Sequence, residues 1–261
     1  MNHLSLPFVI MLSIILCGCA PWCSSKRHPF HGKMPSVPPP SQRKLDVGIG
    51  KGSPCAQIPV RSGDIIFISV TAFTKVSAAT NCPANHVGIV FNDPKRGWLV
   101  AESAVPLSRY TPLANFIARS DDGWCAIRRL KTGLTELQVS ALRAQCDARM
   151  GVVYHPGFRY ESRRQFCSKF VYDVYQTALG IKIGELETFS HLLDRNPEAG
   201  LGFWRVWFFG RIPWNRLTVT PASQFGSDLL ETTWQSKGRR YSSTEPMKIP
   251  SIIDQPISTL L

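Results

Sequence analysis

Two blocks of sequence decide the fold: HVGIVF at residues 86–91 and GVVYHPGFRYESRRQFCSKFVYDVY at residues 151–175. The first predicts a strand that begins at His86. The second has apolar residues at helical spacing after Cys167, which predicts a helix that begins at this cysteine. A histidine on a strand and a cysteine at the start of a helix are the groups needed to form a thiolate nucleophile and to shuttle its proton. The histidine comes before the cysteine, and this order narrows the family considerably.

Cys167 is the candidate nucleophile. Free backbone N–H groups and the macrodipole at the start of a helix favour a negative charge, so this position favours the thiolate. The same N–H groups are suited to bind the oxyanion of a tetrahedral intermediate. The alternative is a structural cysteine, either a small core residue or one half of a disulfide. The surrounding pattern, and not the residue type, favours the nucleophile.

His86 is the candidate general base and acid. Gly88 follows two residues later, on the same face of the strand, and leaves room beside the imidazole ring. A neutral imidazole at this position accepts the thiol proton and later protonates the leaving group. The alternative is a strand histidine whose polar atoms are simply hydrogen-bonded.

Glu102 is the candidate orienting group, on a strand predicted over residues 98–103. A hairpin connection at residues 92–97 brings this strand alongside His86. A symmetrical turn pairs His86 with Ser103, whereas a one-residue bulge places Glu102 opposite His86. A carboxylate beside the imidazole fixes its tautomer and stabilises the imidazolium. The alternative is a solvated strand glutamate.

The rest of the folded region predicts a mixture of strands and helices. The pattern indicates strands over residues 63–70 and 124–130, and helices over residues 111–118, 135–150 and 167–179. Thr111 and Thr135 are the predicted helix caps, and Gly180 stands where the cysteine helix should end. Beyond residue 185 the pattern weakens until residues 217–220.

Composition indicates one folded domain and negatively charged partners. The chain has 261 residues, 44% of them hydrophobic, which suffices for a packed core and excludes global disorder. Its formal net charge is +12 and its pI is near 9.6. This charge favours anionic partners such as phospholipid headgroups or lipid A phosphates. The basic residues are scattered and accompany no recognisable nucleic-acid-binding module, so no nucleic-acid partner is predicted.

The N-terminus predicts export and a lipid anchor. An apolar run over residues 4–16 is too short to cross a bilayer but suits the apolar part of a signal peptide. The small residues before Cys19 resemble a bacterial lipobox, which implies that Cys19 is acylated and holds the chain at a bacterial membrane. Plain secretion and an uncleaved anchor are the alternatives. The predicted segments are a signal peptide (1–18), a tether rich in Pro, Ser and basic residues (19–57), a catalytic domain (58–235) and a polar tail (236–261).

Five cysteines have no assigned role once the signal, the anchor and the nucleophile are set aside. Export implies an oxidising compartment where cysteines pair, but an odd number leaves at least one free or paired between chains. Cys82 and His86 have the spacing of half a zinc site, and no second ligand pair stands at a suitable distance. Neither a metal nor a cofactor is therefore predicted. The five cysteines are Cys23, Cys55, Cys82, Cys125 and Cys146.

Residues 201–216 combine aromatic side chains with arginines. This composition suits a membrane interface or the lipid-facing edge of a cleft. The alternative is a packed flap over the active site, with some arginines solvated. Its large apolar residues are Phe203, Trp204, Val206, Trp207, Phe208, Phe209, Ile212 and Trp214, and its arginines are Arg205, Arg211 and Arg216.

Both blocks resemble those of NlpC-type cell-wall peptidases. The cysteine block is similar through Gly151, YHPG at 154–157, FCS at 166–168 and the VYDVY that follows, and the histidine block through GDIIF at 63–67 and HVGI at 86–89. With the blocks in exchanged order, the chain resembles the circularly permuted papain-like hydrolases of the YiiX/YebB-like group. ESAVP at 102–106, YTPL at 110–113 and VTP at 219–221 also fit that group. The resemblance extends from about residue 58 to residue 230.

This resemblance implies an α+β fold, with a central antiparallel sheet packed against helices. It implies that Cys167 is the nucleophile, His86 the base and acid, and Glu102 the third residue. Tyr154 and Ser168 are the predicted oxyanion- or substrate-binding residues. Lys169 departs from the group, which usually carries glutamate there. The lysine either favours the thiolate further or points outward and alters substrate preference.

The predicted activity is cysteine-dependent hydrolysis of an amide or ester bond through an acyl-enzyme. The substrate is a lipid or a peptide of the cell envelope, and the charge and the aromatic segment slightly favour a lipid. The enzyme alternative is a lipid acyltransferase or thioesterase. A non-catalytic envelope lipoprotein that uses the fold for binding is the alternative from another class.

Overall fold

The computed structural model describes residues 58–71, 79–120, 123–196 and 199–236. Its strands are β1 (Ile65–Ile68), β2 (His86–Asp93), β3 (Gly97–Ser103), β4 (Ser108–Pro112), β5 (Cys125–Leu130), β6 (Glu187–Thr188), β7 (Leu217–Thr218) and β8 (Leu230–Gln235). Six of them form one sheet in the order β4-β3-β2-β1-β5-β8, and β6 pairs with β7 in a small second sheet. All neighbouring strands are antiparallel, as predicted.

The helices pack against this sheet. They are α1 (Leu113–Ile117), α2 (Glu136–Asp147), α3 (Cys167–Leu179), α4 (Phe189–Asp194), α5 (Leu201–Trp207) and α6 (Pro221–Phe225). The predicted α3 is confirmed, since it begins at Cys167 and ends at Gly180, whose φ of 70° a side chain would disfavour. Thr135 caps α2 in a capping box with Gln138, as its sequence indicates.

The central strand β1 explains why the core has two sides. All four of its residues are fully buried. Successive side chains of a strand point to opposite faces, so Ile65 and Phe67 pack with α3 while Ile66 and Ile68 pack in the cluster that contains Phe116. A strand buried on both faces has a continuous apolar sequence rather than an alternating one. The predicted strand over residues 63–70 is shorter in the structure.

Several sequence predictions are wrong in detail. Thr111 does not cap a helix; it is a residue of β4, and α1 begins only after Pro112, which provides no side-chain cap. At the predicted start of the tail, the Ser236 backbone N–H donates to the Cys125 carbonyl at 2.9 Å, so the contacts with the sheet reach this residue. Strand β8 and the elements between residues 187 and 218 have no clear sequence signal, because each is short and irregularly patterned.

The predicted signal peptide (1–18), the tether (19–57) with its anchor Cys19, and the tail beyond Ser236 lie outside the described residues. Within the described part of the chain, no helix is both long and apolar enough to cross a bilayer. Cys23 and Cys55 also lie outside the described residues. Cys146 is buried in the core between α2 and α3, and its thiol forms no disulfide.

The aromatic segment over residues 201–216 is divided between packing and exposure. Trp204 is fully buried on the inner side of α5, and Phe203, Trp207 and Phe208 pack against the same cluster. Val206, Phe209 and Trp214 face outward, with Phe209 74% exposed. The inner face of this segment therefore agrees with the predicted packed flap. Its outer face is apolar and exposed.

Candidate active site

The register of the β2–β3 hairpin brings His86 and Glu102 to one face of the sheet. Ile89 pairs with Ala101 and Asp93 with Gly97, around a three-residue turn. Continued by one residue, this register sets Gly88 opposite Glu102. Neither predicted pairing of His86 occurs. The turn is one residue longer than the symmetrical turn, so the position opposite His86 moves past Ser103. The bulge would have moved it in the opposite direction, to Glu102. His86 and Glu102 still share a face, since His86 lies two residues from Gly88 on that face.

Glu102 is completely buried and makes a hydrogen bond with His86. The distance from Glu102 Oε2 to His86 Nε2 is 2.6 Å. The carboxylate also accepts hydrogen bonds from Thr111 Oγ1 at 2.5 Å and from Arg119 Nη2 at 2.9 and 2.8 Å. Arg109 Nε lies 3.7 Å from the same carboxylate. A buried charge held by this many donors is compensated and stays ionised.

The protonation states of this pair follow from their contacts. Burial alone would lower the pKa of His86, but the hydrogen bonds and charges of Cys167 and Glu102 outweigh burial and raise the pKa to about 9. Burial would raise the pKa of Glu102, but His86, Arg119 and Thr111 together lower it to about 2. Near neutral pH, the pair is therefore an imidazolium and a carboxylate.

A stack of side chains fixes the orientation of the imidazole. The ring of Phe116 stacks on His86 with centroids 5.4 Å apart and an interplanar angle of 27°. The guanidinium of Arg119 lies over the ring of Phe116, 4.9 Å from its centroid. Phe116 of α1 thus holds the imidazole ring, and Arg119, two residues after α1, holds the carboxylate of Glu102. Glu102 accepts from Nε2, so the remaining nitrogen, Nδ1, is available to a second partner.

The thiol of Cys167 is the candidate second partner, since its charge and hydrogen-bonding capacity help to raise the pKa of His86. Nδ1 is buried and has no hydrogen-bond partner among the described residues, so it is free to meet a reacting group. Cys167 is the first residue of α3, and its N-cap Phe166 provides no side-chain cap. The first backbone N–H groups of the helix are therefore free to stabilise negative charge at this end.

Tyr154 and Ser168 lie next to the thiol, but their hydroxyl groups have different hydrogen-bond partners. Tyr154 is buried, and burial together with its hydrogen-bonding neighbour Cys167 raises the pKa of its hydroxyl well above the usual value. The hydroxyl is therefore a permanent donor beside the sulfur. The Ser168 hydroxyl donates to the Val219 carbonyl at 2.7 Å. Its proton is thus engaged, and the group that Ser168 offers to an oxyanion is its backbone N–H.

Lys169 pairs with an acidic residue of its own helix. Its ammonium pairs with Asp173 one helical turn later and lies 5.2 Å from the ring centroid of Tyr160. Residues two positions apart do not face each other on a helix, which directs this side chain away from Cys167. The pairing with Asp173 favours the other interpretation, in which the lysine side chain points away from the thiol.

An apolar pocket opens beside the nucleophile. It encloses about 40 Å³, room for a few carbon atoms in this conformation. Its walls bring together the start of α3, the loop before it, and helices α4 and α5. The lining includes Cys167, Tyr154, Phe158, Phe166, Leu192, Trp204 and Val219.

Three residues around Glu102 escaped the sequence analysis. Thr111 was assigned to a helix cap, and Arg109 and Arg119 were assigned no role. The missed signal is strand β4: it pairs Glu102 with Arg109 and Val100 with Thr111, so both polar residues share the face of Glu102. Recognising residues 108–112 as a strand next to β3 would have predicted these contacts.

Replacing Glu102 with glutamine is expected to lower the pKa of His86 from about 9 toward the ordinary value near 6.5. The amide cannot supply the charge that stabilises the imidazolium. Hydrolytic activity should fall by about 100-fold or more. Without the carboxylate, the imidazole proton is no longer held on Nε2, and an imidazole protonated on the wrong nitrogen is a poor base. NMR titration of the His86 ring protons measures the pKa, and Glu231→Gln, an exposed carboxylate of β8, is the matched control. An unchanged His86 titration would contradict this account.

The same substitution changes stability with a defined pH dependence. The folded-state pKa of His86 lies above its unfolded value, so its contribution is complete below about pH 6.5 and is lost as pH rises through about 9. The folded-state pKa of Glu102 lies below its unfolded value, so its contribution is present above about pH 4.5 and is lost as pH falls through about 2. Urea unfolding should therefore separate wild type from Glu102→Gln most strongly near pH 5 to 6, by about 2–3 kcal/mol.

Comparison with known proteins gives one consistent result. Residues 59–233 match the family described as permuted papain-like amidase enzyme, YaeF/YiiX. The chain is 30% identical over 174 residues to the uncharacterized protein YiiX of Escherichia coli K12, which covers 66% of this chain and 85% of that protein. A crystal structure of the metalloprotein YiiX from Escherichia coli O157:H7 is similar with a TM-score of 0.63 and 29% identity, and the match covers 67% of this chain and 97% of that one.

The described residues of this chain do not fit a metal centre. Within residues 58–71, 79–120, 123–196 and 199–236, no group of three or more His, Cys, Asp or Glu side chains is placed to hold an ion. The word metalloprotein describes the crystallised relative. In this chain, Nε2 of His86 is bound to Glu102, and the carboxylate is already saturated by Thr111 and Arg119.

Proposed function

We propose, from the premise that this chain belongs to the permuted papain-like amidase family, that it cleaves an amide or ester bond of a substrate with an apolar acyl group. The family makes the chain a papain-like cysteine hydrolase, and the binding-module alternative is therefore set aside. The observation that carries the substrate proposal is the apolar pocket at Cys167.

The proposed mechanism begins with the thiolate of Cys167. Its sulfur attacks the carbonyl carbon, and the resulting oxyanion is stabilised by the Tyr154 hydroxyl and the N–H groups at the start of α3. The imidazolium of His86 donates its proton to the leaving nitrogen or oxygen as the bond to carbon breaks. A thioester remains on Cys167. Neutral His86 then removes a proton from water, which attacks the thioester and releases the acid.

Glu102 acts on these reaction steps through the imidazole of His86. In each step His86 alternates between a charged and a neutral state, and the carboxylate holds Nε2–H so that Nδ1 exchanges the proton. The stack with Phe116 restrains rotation of the imidazole ring. Glu102 is therefore a positioning residue that also stabilises the imidazolium.

The substrate class follows from the pocket. Its walls are almost entirely apolar, so a charged peptide side chain would lose its hydration there without compensation. A short aliphatic group gains from the same burial. Trp204 of α5 lines the pocket, and the same helix presents the exposed apolar side chain of Val206 on its outer side. A lipid or lipid-like envelope substrate is favoured over an unmodified cell-wall peptide.

The same pocket supports acyl transfer as the second candidate. An apolar site favours an alcohol or amine acceptor with an apolar body, which would compete with water for the thioester. The chemistry up to the thioester is identical, and the acceptor alone distinguishes the two activities. Product analysis with and without an added alcohol acceptor separates hydrolysis from transfer.

Replacing Leu192 with alanine is expected to shift acyl preference toward longer chains. Leu192 lies on α4 and lines the pocket, so its removal extends the enclosed space. Across a series of p-nitrophenyl esters from acetate to octanoate, kcat/KM for the longer esters should rise about tenfold relative to the shorter ones, since each methylene in a fitted pocket is worth about 1–3 kcal/mol.

Leu193 is the matched control for this experiment. It is adjacent on α4, equally buried at 4% exposure and part of the same cluster, but it does not line the pocket. Leu193→Ala should cost a similar free energy of unfolding, about 2–5 kcal/mol, without changing chain-length preference. An identical preference in both variants, or efficient cleavage of polar peptides with no esterase activity, would refute the proposed substrate class.

We also propose that the chain is exported and anchored to a bacterial membrane through Cys19. The small residues before Cys19 and the apolar run over residues 4–16 support this proposal. In cells fed an alkyne fatty acid, the wild-type chain is expected to carry the label and sediment with membranes. Cys19→Ser should lose both properties, while Cys23→Ser retains them. Labelling that persists in Cys19→Ser would contradict the anchor.

A further inference from the structure

A cluster of basic side chains lies on the loop that precedes the nucleophile helix. Arg159 and Arg164 belong to this loop, and Arg216 approaches it from the segment before β7. Arg216 Nη1 donates to the Gly157 carbonyl at 2.8 Å, and the Tyr160 N–H donates to the Leu217 carbonyl at 2.9 Å. The loop and the segment are therefore held together by hydrogen bonds.

His155 lies in the middle of this cluster. Its backbone N–H donates to the carbonyl of Gln165, directly after Arg164, and its Nδ1 accepts from the Gly157 N–H at 3.0 Å. A side chain at Gly157 would meet both the His155 ring and Arg216 Nη1, at 2.8 and 3.2 Å from its Cβ. The imidazole and the guanidinium thus flank the same glycine.

The positive charges in this cluster are not balanced. Burial and the charges of Arg216, Arg164 and Arg159 lower the pKa of His155. The carboxylate of Glu161 pairs with Arg159 at 3.6 Å, in a contact that is exposed on both sides. Arg216 is half-buried, and burial and the charge of Arg159 lower its pKa. Like charges held together in this way favour an anion that would relieve their repulsion.

The cluster is continuous with the pocket at Cys167. Phe158, between Gly157 and Arg159, lines the pocket and meets the Phe166 ring edge-on with centroids 5.7 Å apart. One side of this short loop therefore faces the apolar acyl site while its polar residues face outward. A molecule with an apolar group and an anionic group can occupy both sides at once.

We propose that His155, Arg159, Arg164 and Arg216 form a binding site for an oxoanion, typified by a phosphate group carried by the substrate. Arginine guanidinium groups match the geometry of phosphate oxygens, and several donors on one loop give more than one contact. The inference rests on the proposed function, since it assigns the polar end of the substrate whose acyl group enters the pocket. The phosphate has two sources, a phospholipid headgroup or a soluble phosphorylated molecule.

NMR titration of the His155 ring protons in the full-length protein tests the site with inorganic phosphate as the probe. Phosphate is expected to raise the pKa of His155 beyond the effect of chloride at equal ionic strength, because a bound anion offsets the arginine charges. The double variant Arg159→Gln/Arg216→Gln should weaken phosphate affinity at least tenfold. Arg211→Gln removes one exposed arginine of the nearby aromatic segment and should bind as wild type.

A second measurement distinguishes the source of the phosphate. Phosphatidylcholine vesicles with phosphatidylglycerol are compared with pure phosphatidylcholine vesicles by co-sedimentation. Binding that requires phosphatidylglycerol and falls at least tenfold in the double variant identifies a lipid headgroup. A response to inorganic phosphate with no such vesicle binding identifies a soluble ligand. Responses to phosphate and chloride that are equal, with vesicle binding unchanged in the double variant, would overturn the site.

The test separates this site from the proposed function. Cys167→Ala is expected to keep the phosphate response, because the cluster does not include the thiol. An intact phosphate response in a wild-type protein that hydrolyses no acyl substrate would refute the proposed function and leave the anion site standing. Hydrolysis without any phosphate response would do the reverse.

Discussion

Replacing Cys167 with alanine is expected to lower kcat/KM for acyl-ester hydrolysis by at least about 10⁴-fold. The reason is that the covalent route needs the sulfur of Cys167, the thiol that acts on the pKa of His86. Folding should be nearly unaffected, since the change removes one sulfur atom at the end of a helix that the sheet holds elsewhere. Hydrolysis of p-nitrophenyl butyrate measures the activity, and urea unfolding measures the stability.

Cys146 provides the matched control for this substitution. It is a fully buried thiol between α2 and α3, and burial raises its pKa, so it stays protonated and unreactive. Cys146→Ala should lose stability by about 1 kcal/mol and keep its activity. Turnover that survives in Cys167→Ala would eliminate the cysteine mechanism.

Replacing His86 with alanine is expected to lower hydrolysis by about 10³- to 10⁴-fold. The thiol then has no base and the leaving group has no proton donor. Glu102 stays buried, with Thr111 and Arg119 as its hydrogen-bond donors. Single-turnover kinetics should show that formation of the thioester slows, because both losses act on this step. Stability should also fall, since a paired buried charge has lost one partner.

His191→Ala is the control for removing an imidazole. His191 is exposed on α4, close to the pocket wall but outside the catalytic group. It should retain wild-type activity. A His86→Ala variant that acylates as fast as wild type would show that the imidazole does not serve the thiol, whatever its distance from Glu102.

Sequence reasoning found the elements whose pattern is strong. Helix α3 was predicted from one apolar stripe, a first residue suited to an anion and a glycine suited to a left-handed end, and the structure confirms all three. The β-branched residues at 63–70 predict strand β1, and residues 86–91 predict β2. These elements are long or fully buried, so local sequence and tertiary packing favour the same structure.

Sequence reasoning failed where the outcome depends on a partner strand. The His86–Glu102 contact depends on turn length, and one residue in the turn changes which side chains are opposite each other. Thr111 has the properties of a helix cap, but the neighbouring β3 extends the chain into β4 and the carboxylate of Glu102 takes its hydroxyl. Arg119 gives no local signal, because its partner lies 17 residues away in sequence.

The central claim is that His86 activates Cys167, and alkylation tests it most directly. The full-length protein is treated with iodoacetamide over a range from about pH 5 to pH 9, and modification of Cys167 is followed by mass spectrometry in wild type and His86→Ala. The account predicts rapid labelling of wild-type Cys167 well below pH 8, where an ordinary thiol near pKa 8.5 is protonated, and loss of that labelling in the variant. Wild-type labelling no faster than that of a free thiol, or equal labelling of both proteins, would contradict it.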